Sequence, residues 1–179
     1  VGFKKELIIE HVGESYKGLK ITYVVQEERL GTGHAVLSTR HVIHGRFLVM
    51  NGDDLYARSD IERLLEKEFG ALAQEHENPS IFGVFDVNEH GKVMRLVEKP
   101  TEYISNLCNI GCYVFPHEIF EKLEHAPQSP RGEIELTSGF SDLAHEIDAY
   151  VVPVTGYWLP IGYPWNIIDA TEVLIQNIQ

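Results

Sequence analysis

Strand-like and helix-like segments alternate along the first third of this chain, and that order constrains the fold more than any single residue does. Runs rich in β-branched and apolar residues at 20–25 and 46–50 are each followed by a segment with helical spacing of apolar residues, at 32–43 and 59–69. Such alternation is typical of parallel βαβ units. Farther along, strand-like runs at 81–87 and 93–97 flank the turn-forming pair His90-Gly91, which favours antiparallel pairing. The pattern predicts an α/β fold with a Rossmann-like mixed, mainly parallel sheet flanked by helices and a small antiparallel addition.

The remaining elements follow from the same periodicities. Helices are also expected at 4–12, 117–123, 136–147 and 164–178, and strands at 107–115 and 149–154. Thr32 is expected to cap the second helix, and Ser59 with Glu62 three residues on forms a capping-box pattern for the third. Because the chain has 179 residues and no internal repeat, we interpret it as a single domain, 1–179, with one sizeable core.

The charge balance and the two cysteines narrow the class of protein. The formal net charge of −12 argues against general nucleic-acid binding, although a few local cations, backbone N–H groups or a metal would still hold phosphate ligands. No apolar run approaches the roughly 20 residues needed to cross a bilayer, so no membrane partner is expected. Cys108 and Cys112 would lie about 13 Å apart on a strand that rises roughly 3.3 Å per residue, which is too far for a disulfide. Reduced thiols indicate a cytoplasmic protein.

Residues 47–56, FLVMNGDDLY, form an apolar run that ends abruptly in Asn-Gly and two carboxylates. Asn-Gly is a strong hairpin signal, but a hairpin needs a strand on each side, and a capped amphipathic helix is predicted to follow. We therefore expect the strand to end at the carboxyl edge of a parallel sheet, where open α/β sheets bind ligands. Asp53 and Asp54 would there be natural ligands for Mg²⁺, which prefers oxygen and usually brings phosphates with it. The alternative is that either Asp only caps the next segment.

Three further patterns carry weaker signals. Residues 26–35, QEERLGTGHA, join a predicted strand to a predicted helix, and their glycines permit close backbone approach at a helix N-terminus that favours anionic groups. Glu98 and Lys99 end a strand side by side, which in isolation is more typical of a solvated charge pair before a turn. Glu133 and Glu135 alternate as on a strand edge or helix start, and we interpret them as structural or as part of a subunit contact.

Taken together, five motifs resemble those of the sugar-1-phosphate nucleotidylyltransferases, the pyrophosphorylases that make nucleotide sugars such as UDP-glucose. The motifs are QEERLGTGHAVL, FLVMNGDDLY, FGVFDVNEHGKVMRLVEKP, NIGCYVF and SPRGEIELTS. They occur in the order and spacing of that family and cover nearly the whole chain. The resemblance implies transfer of a nucleotidyl group from a nucleoside triphosphate, UTP or dTTP, to a hexose 1-phosphate such as glucose 1-phosphate. Pyrophosphate is released, Mg²⁺ is the implied cofactor, and a homo-oligomer is left open.

The resemblance also implies roles for the residues of the nucleotide side. Gln26 would pair with the edge of a pyrimidine base, without separating uridine from thymidine. Gly31 would press its backbone against that base, and Thr32 would help to close the same wall. Gly52 would line the nucleoside pocket.

On the sugar side, the resemblance implies two catalytic residues and three binding residues. Asp53 would hold Mg²⁺, and Lys99 would face the sugar phosphate. Glu98 would accept hydrogen bonds from sugar hydroxyls, and Asn109 and Gly111 would line the sugar pocket.

Two departures from the family pattern limit what the resemblance implies. The family opens with a glycine-rich loop containing an Arg, followed by a Pro-Lys pair, and this chain contains neither, so we expect it to be a fragment that is inactive alone. Many members also carry a second metal-binding Asp near the end, where this chain has Pro160. Asp169, farther along, is expected to be a solvated helix residue. Two alternatives remain: a non-catalytic nucleotide-sugar-binding or regulatory subunit of the same fold, and a glycosyltransferase of a related fold.

Overall fold

The computed structural model of this chain describes residues 1–177. It contains helices α1 (Lys5–Val12), α2 (Thr32–Leu37), α3 (Arg58–Leu65), α4 (Ile119–His125), α5 (Leu136–Ala144) and α6 (Asn166–Asn177). Its strands are β1 (Ser15–Tyr16), β2 (Leu19–Lys20), β3 (Phe47–Met50), β4 (Asp54–Tyr56), β5 (Gly70–Glu75), β6 (Gly83–Val87), β7 (Val93–Glu98), β8 (Leu107–Phe115), β9 (Tyr150–Pro153) and β10 (Trp158–Pro160).

The main sheet has six strands and is built around β8. Five strands follow the order β7-β6-β8-β5-β9, and β3 pairs with the second half of β8. The predicted mixed α/β class with flanking helices is confirmed. The sheet is not mainly parallel, however: among its described strand pairs, β5 and β9 run parallel and the others run antiparallel. Local periodicity identifies a strand but not the direction of its partner, and β3 accordingly pairs antiparallel with β8 rather than ending a parallel sheet.

Apolar side chains of alternating residues on β5 and β8 divide the core between the two faces of the sheet. Ala71 and Phe115 point to the face covered by α2, α4 and α5, where Phe120 and Phe140 are fully buried. Leu72, on the other face, packs with residues of β4 and α3. A cleft lies between the end of β7, the middle of β8 and the two-stranded ribbon β4-β10.

Several predicted elements differ from the structure. Only Leu19–Lys20 is a strand near the predicted run at 20–25, and α2 ends at Leu37 instead of residue 43. The central strand β5 was not predicted, because its Gly-Ala-Leu-Ala sequence is poor in the residues that strands favour. The predicted last helix is present as α6, and its predicted end at Ile178 lies outside the described residues.

The predicted helix caps also differ from the structure. Thr32 is the first residue of α2, not its cap, and the cap position is held by Gly31. Ser59 lies inside α3, whose cap residue Ala57 has no side chain that could cap. Glu62 instead forms an exposed ion pair with Arg58 at i,i+4 spacing.

Both cysteines are buried and free, as predicted. None of the helices in the described part of the chain has the length and apolar character that crossing a bilayer requires.

Candidate active site

A cleft of about 540 Å³ opens at the end of β7 and over the middle of β8, beside the β4-β10 ribbon. It brings together six of the residues predicted for the site from distant parts of the sequence: Thr32, Asp53, Glu98, Lys99, Asn109 and Gly111. Gly31 and Gly52 are the chain neighbours of two of them. Gln26 does not line this cleft; it lines a second hollow of about 440 Å³ between residues 22–26 and α2.

The two carboxylates of the Asn-Gly-Asp-Asp loop have different environments. The Asp53 side chain is exposed, and no side chain in the described residues hydrogen-bonds its carboxylate. Its backbone oxygen accepts from Ile161 N at 2.9 Å. Asp54 is half-buried, and its Oδ2 accepts from Asn51 Nδ2, Tyr56 OH and Trp158 Nε1 at 3.0–3.1 Å. Within the described residues, Asp53 therefore has both carboxylate oxygens available to a ligand, whereas Asp54 has only its Oδ1.

Gly111 sits where strand β8 passes the Asn-Gly-Asp-Asp loop. Its φ of 74° lies in the left-handed region, and a Cβ there would lie 2.1 Å from Asn51 Nδ2. Asn51 N donates to Gly111 O at 3.1 Å, which fixes the loop against the strand. Asn109 is held by its own strand, since Nδ2 donates to Tyr113 OH at 2.6 Å and Oδ1 accepts from Gly111 N at 3.2 Å. Only glycine fits this close approach of loop and strand.

Glu98 and Lys99 end β7 at the floor of the cleft. Lys99 is exposed and has a φ of 44°, an uncommon conformation for a residue with a side chain, and its N–H donates to Phe82 O at 2.9 Å. Burial raises the pKa of Glu98, and the neighbouring carboxylate of Glu135 raises it further. This corner of the cleft therefore favours a ligand that donates hydrogen bonds to carboxylates.

Three charged residues of the cleft were not predicted for the site: Arg131, Glu133 and Glu135. Glu135 is 8% exposed, and its Oε1 accepts from Arg131 Nη2 at 2.8 Å. The alternation of Glu133 and Glu135 in the sequence favoured a structural role, and Arg131 lies in a turn before them. Arg131 adds a second cation to the cleft beside Lys99.

The glycine-rich segment at 30–33 is paired with the segment that carries these glutamates. Gly33 N donates to Ile134 O at 2.8 Å, and Ile134 N donates to Leu30 O at 2.7 Å. A Cβ on Gly31 would lie 2.7 Å from Ile134 O, and one on Gly33 would lie 2.8 Å from it. The close backbone approach that these glycines predicted is therefore made within the chain itself. Thr32 Oγ1 takes part, because it accepts from Leu136 N at 3.2 Å at the start of α5.

The orientation of the Gln26 amide is fixed by two acceptors. Nε2 donates to Gly31 O at 3.1 Å and lies 3.0 Å from His34 Nδ1. Gly31 O also accepts from Ala35 N, so it faces donors on both sides. Gln26 thus keeps its Oε1 for a ligand, whereas its amide hydrogens are used within the chain.

The residue that faces Asp54 across the β4-β10 ribbon is a proline. Pro160 pairs with Asp54 across the β4-β10 ribbon and lines the cleft. Asp169 is exposed on α6 and does not line the cleft. Within residues 1–177, no group of three or more His, Cys, Asp or Glu side chains is arranged to hold a metal ion. Any metal in this cleft would have to take most of its ligands from substrate and water.

The fold and the cleft define an α/β protein with a polar cleft beside its sheet, lined by carboxylates, amides and two cations. The chain belongs to the nucleotidyl transferase family, whose model, described as "Nucleotidyl transferase", matches residues 2–177.

Relatives with known names support the sugar-1-phosphate branch of this family. The chain is 41% identical to the bifunctional protein GlmU of Methanococcus vannielii over 99% of its own length and 44% of that relative. It is 33% identical to the UTP–glucose-1-phosphate uridylyltransferase AglF of Haloferax volcanii, over 97% of this chain and 75% of the relative. These relatives are nucleotidyltransferase enzymes, and the chain spans less than half the length of GlmU.

A solved structure of UDP-glucose pyrophosphorylase complexed with UDP-glucose shares the fold. It superposes with a TM-score of 0.85 at 24% identity, over 98% of this chain and 79% of that one. This likeness concerns the fold, whereas the family model and the AglF relative confirm the predicted membership in the sugar-1-phosphate nucleotidylyltransferases.

Proposed function

We propose that this chain carries the substrate site of a sugar-1-phosphate nucleotidylyltransferase, which transfers a nucleotidyl group from UTP or dTTP to a hexose 1-phosphate. The observation that supports this most is the convergence of Asp53, Glu98, Lys99 and Asn109 on one cleft from three distant segments. In the reaction, a sugar-phosphate oxygen forms a bond to the α-phosphorus, and the bond from that phosphorus to pyrophosphate breaks. Positioning and charge neutralisation carry such a step, and no protein nucleophile is needed.

The sugar phosphate is proposed to lie between the two cations and the carboxylate corner. Lys99 and Arg131 supply positive charge for the phosphate. Glu98 and Glu135, both lining the cleft, supply acceptors for sugar hydroxyls. Asn109 and the backbone at Gly111 are proposed to complete the sugar pocket, and a glucose-type sugar fits the AglF relative, a UTP–glucose-1-phosphate uridylyltransferase.

The nucleotide is proposed to lie along the segment from Gln26 to Thr32 and against Gly52. The free Oε1 of Gln26 is an acceptor, and uracil and thymine both present a ring N–H donor to it. The backbone at Gly31 would contact the base, and Thr32 would contribute through its position at the start of α2. A cytoplasmic location belongs to the same proposal, because nucleoside triphosphates are the substrates.

Magnesium fits the donor set through one protein carboxylate. Asp53 is exposed and unpaired in the described part of the chain, whereas Asp54 is committed to three donors and Pro160 offers no ligand. Mg²⁺ commonly binds through one or two carboxylates together with substrate phosphates and water, so Asp53 alone suffices as the protein ligand. When bound, the ion would neutralise charge on the phosphate oxygens.

Pro160 supports a second candidate, a nucleotide-sugar-binding subunit without catalysis. If a second carboxylate is required for turnover, its absence opposite Asp54 would leave a chain that binds and does not react. Pro160→Asp separates the two candidates: a large rise in Mg²⁺-dependent turnover favours the second candidate, and a measurable turnover that the substitution leaves unchanged favours the first.

Binding is the sharper test for this chain, because it spans less than half of the GlmU relative. We expect UDP-glucose and glucose 1-phosphate, titrated into ¹⁵N-labelled chain, to shift the backbone amides of Glu98, Lys99, Asn109 and Gly111. Glu98→Gln should weaken both ligands several-fold, since it removes a charged acceptor.

The matched control is Glu124→Gln, an exposed glutamate that pairs with Arg40 outside the cleft. It should leave both affinities unchanged. Amide shifts that are absent, or that lie away from the cleft, would refute the proposal.

A further inference from the structure

Asp54 accepts hydrogen bonds from three residues around Asp53, one in the loop, one on β4 and one on β10. Its Oδ2 accepts from Asn51 Nδ2 in the loop at 3.1 Å, from Tyr56 OH on β4 at 3.0 Å and from Trp158 Nε1 on β10 at 3.0 Å. The two oxygens of a carboxylate together offer about four acceptor sites, so these donors fill Oδ2. The indole nitrogen of Trp158 is a donor only, and its position therefore specifies an acceptor at Asp54.

The segments that supply these donors are anchored in the core. Tyr56 is buried, and its hydroxyl also lies 2.7 Å from Ile110 O, so its single proton is shared between two acceptors. Asn51 is bound through its backbone N–H to Gly111 O. Asp54 thus joins the Asn-Gly-Asp-Asp loop to β8 on one side and to β10 on the other.

Strand β10 is itself held by a buried carboxylate. Asp60 on α3 is 0% exposed and accepts from Thr155 N, Thr155 Oγ1 and Gly156 N at 3.0–3.1 Å, as well as from Arg63. Ala57 N adds a bond to Tyr157 O at 2.9 Å. The turn that leads into Trp158 is therefore fixed to the start of α3.

Beyond Trp158, the same strand reaches the backbone of Asp53. Ile161 N donates to Asp53 O at 2.9 Å, so Asp53 has a fixed backbone and a free side chain. The backbone of Asp53 is therefore held in place while its carboxylate stays available to a ligand.

We propose that Asp54 is a positioning residue that holds Asp53 in place through its bond to Trp158, and that Asp53 is the carboxylate that contacts the metal. This inference rests on the metal-binding part of the proposed function. The competing possibility is that Asp54 contacts the metal directly through its Oδ1.

The test titrates Mn²⁺ into the ¹⁵N-labelled chain, alone and with UDP-glucose present to supply phosphate oxygens, and reads the paramagnetic broadening of amide signals at residues 52–54. Asp53→Asn should abolish the broadening. Asp54→Asn and Trp158→Phe should each raise the Mn²⁺ concentration for half-broadening, by roughly tenfold for the former, as loss of a partner that orients a metal ligand does. The double variant should be no weaker than Asp54→Asn, because Trp158 acts through Asp54.

A second measurement tests, in the absence of metal, whether Asp54 and Trp158 hold the backbone of Asp53 in place. The amide proton of Ile161 should exchange faster in Asp54→Asn and Trp158→Phe, whereas amides of the β5-β8 pairs should keep their protection. Trp165→Phe and Asp169→Asn are the matched controls, since both residues are exposed and lie outside the cleft. Neither should change the Mn²⁺ response or the exchange of Ile161.

Three outcomes would overturn the inference. If Asp54→Asn abolishes broadening as Asp53→Asn does, and Trp158→Phe has no effect, Asp54 is a direct ligand. If Asp54→Asn leaves both the Mn²⁺ response and the exchange of Ile161 at wild-type values, Asp54 positions nothing. A wild-type chain without any Mn²⁺ broadening would overturn this inference and the metal part of the proposed function together.

Discussion

Replacing Gly111 with alanine probes the contact between strand β8 and the Asn-Gly-Asp-Asp loop. The new Cβ would lie 2.1 Å from Asn51 Nδ2 and 2.5 Å from its Cγ, distances that side-chain atoms cannot tolerate. Asn51 must therefore move, and its bonds to Asp54 Oδ2 and to Gly111 O are expected to break.

The expected loss of stability has two parts, one from the backbone conformation of alanine and one from the lost hydrogen bonds of Asn51. Holding alanine at a φ of 74° costs about 1 kcal/mol, and each lost hydrogen bond costs about 1 kcal/mol. The free energy of unfolding should fall by about 3 kcal/mol in total. Gly45→Ala is the matched control, because Gly45 has a φ of 73° and nothing within 4 Å of a Cβ, so it carries only the backbone part.

Urea unfolding followed by tryptophan fluorescence and circular dichroism measures both variants. The expected difference between them is about 2 kcal/mol, and Gly111→Ala should also lose affinity for glucose 1-phosphate while Gly45→Ala keeps it. Equal destabilisation of the two variants would refute the reasoning, because it would mean that Asn51 yields without cost.

Three further predictions concern buried groups. Asp60→Ala should lower the free energy of unfolding by about 3 kcal/mol or more because it removes the carboxylate partner of Arg63 and leaves the N–H groups of Thr155 and Gly156 unpaired, whereas exposed Arg58→Ala should cost less than about 1 kcal/mol by the same urea assay. Although burial opposes ionisation of Asp60, donors from Arg63, Thr155 and Gly156 hold its pKa below 3.8. The stability that ionised Asp60 gives to the folded chain is therefore complete above the pKa of the unfolded state and is lost as the pH falls through the lower folded pKa. In acid, the free energy of unfolding should therefore fall less steeply with falling pH in Asp60→Asn than in the wild-type chain. Equal steepness in the two chains would contradict this. Burial raises the pKa of Cys112 to about 12, so iodoacetamide should leave it unmodified near pH 8 until urea unfolds the chain, as alkylation measured by mass spectrometry would show.

The elements that could be predicted from sequence are those whose local pattern and tertiary role agree. Strand β8 was predicted with its observed bounds, because nine residues of apolar and β-favouring character lie between turn signals. Strand β5 was missed although it is central, because burial between β8 and β9 makes a strand of small residues that would not form one alone. The direction of pairing depends on partners far away in sequence, which explains why the sheet is less parallel than the alternation of elements predicted.

The residues of the candidate site also differ in whether the sequence could predict them. Asp53 could be found because it follows a predicted strand, where side chains reach the edge of a sheet. Glu98 and Lys99, which alone are more typical of a solvated charge pair, were predicted for the site only by the family resemblance. Arg131 and Glu135 were missed, because only the pairing of their segment with residues 30–33 brings that charged run into the cleft. Charge alternation on its own is more typical of a solvated edge.

The pairing of Leu30 and Gly33 with Ile134 has a consequence for protein engineering. Residues proposed for the nucleotide and residues proposed for the sugar sit on two segments that share backbone hydrogen bonds and leave no room for a side chain at Gly31 or Gly33. A graft that transplants only one segment from another enzyme would have to match the backbone of the other to within a fraction of an ångström. Residues 30–36 and 131–137 therefore form one exchangeable module, and altered substrate selectivity should be sought by moving both together.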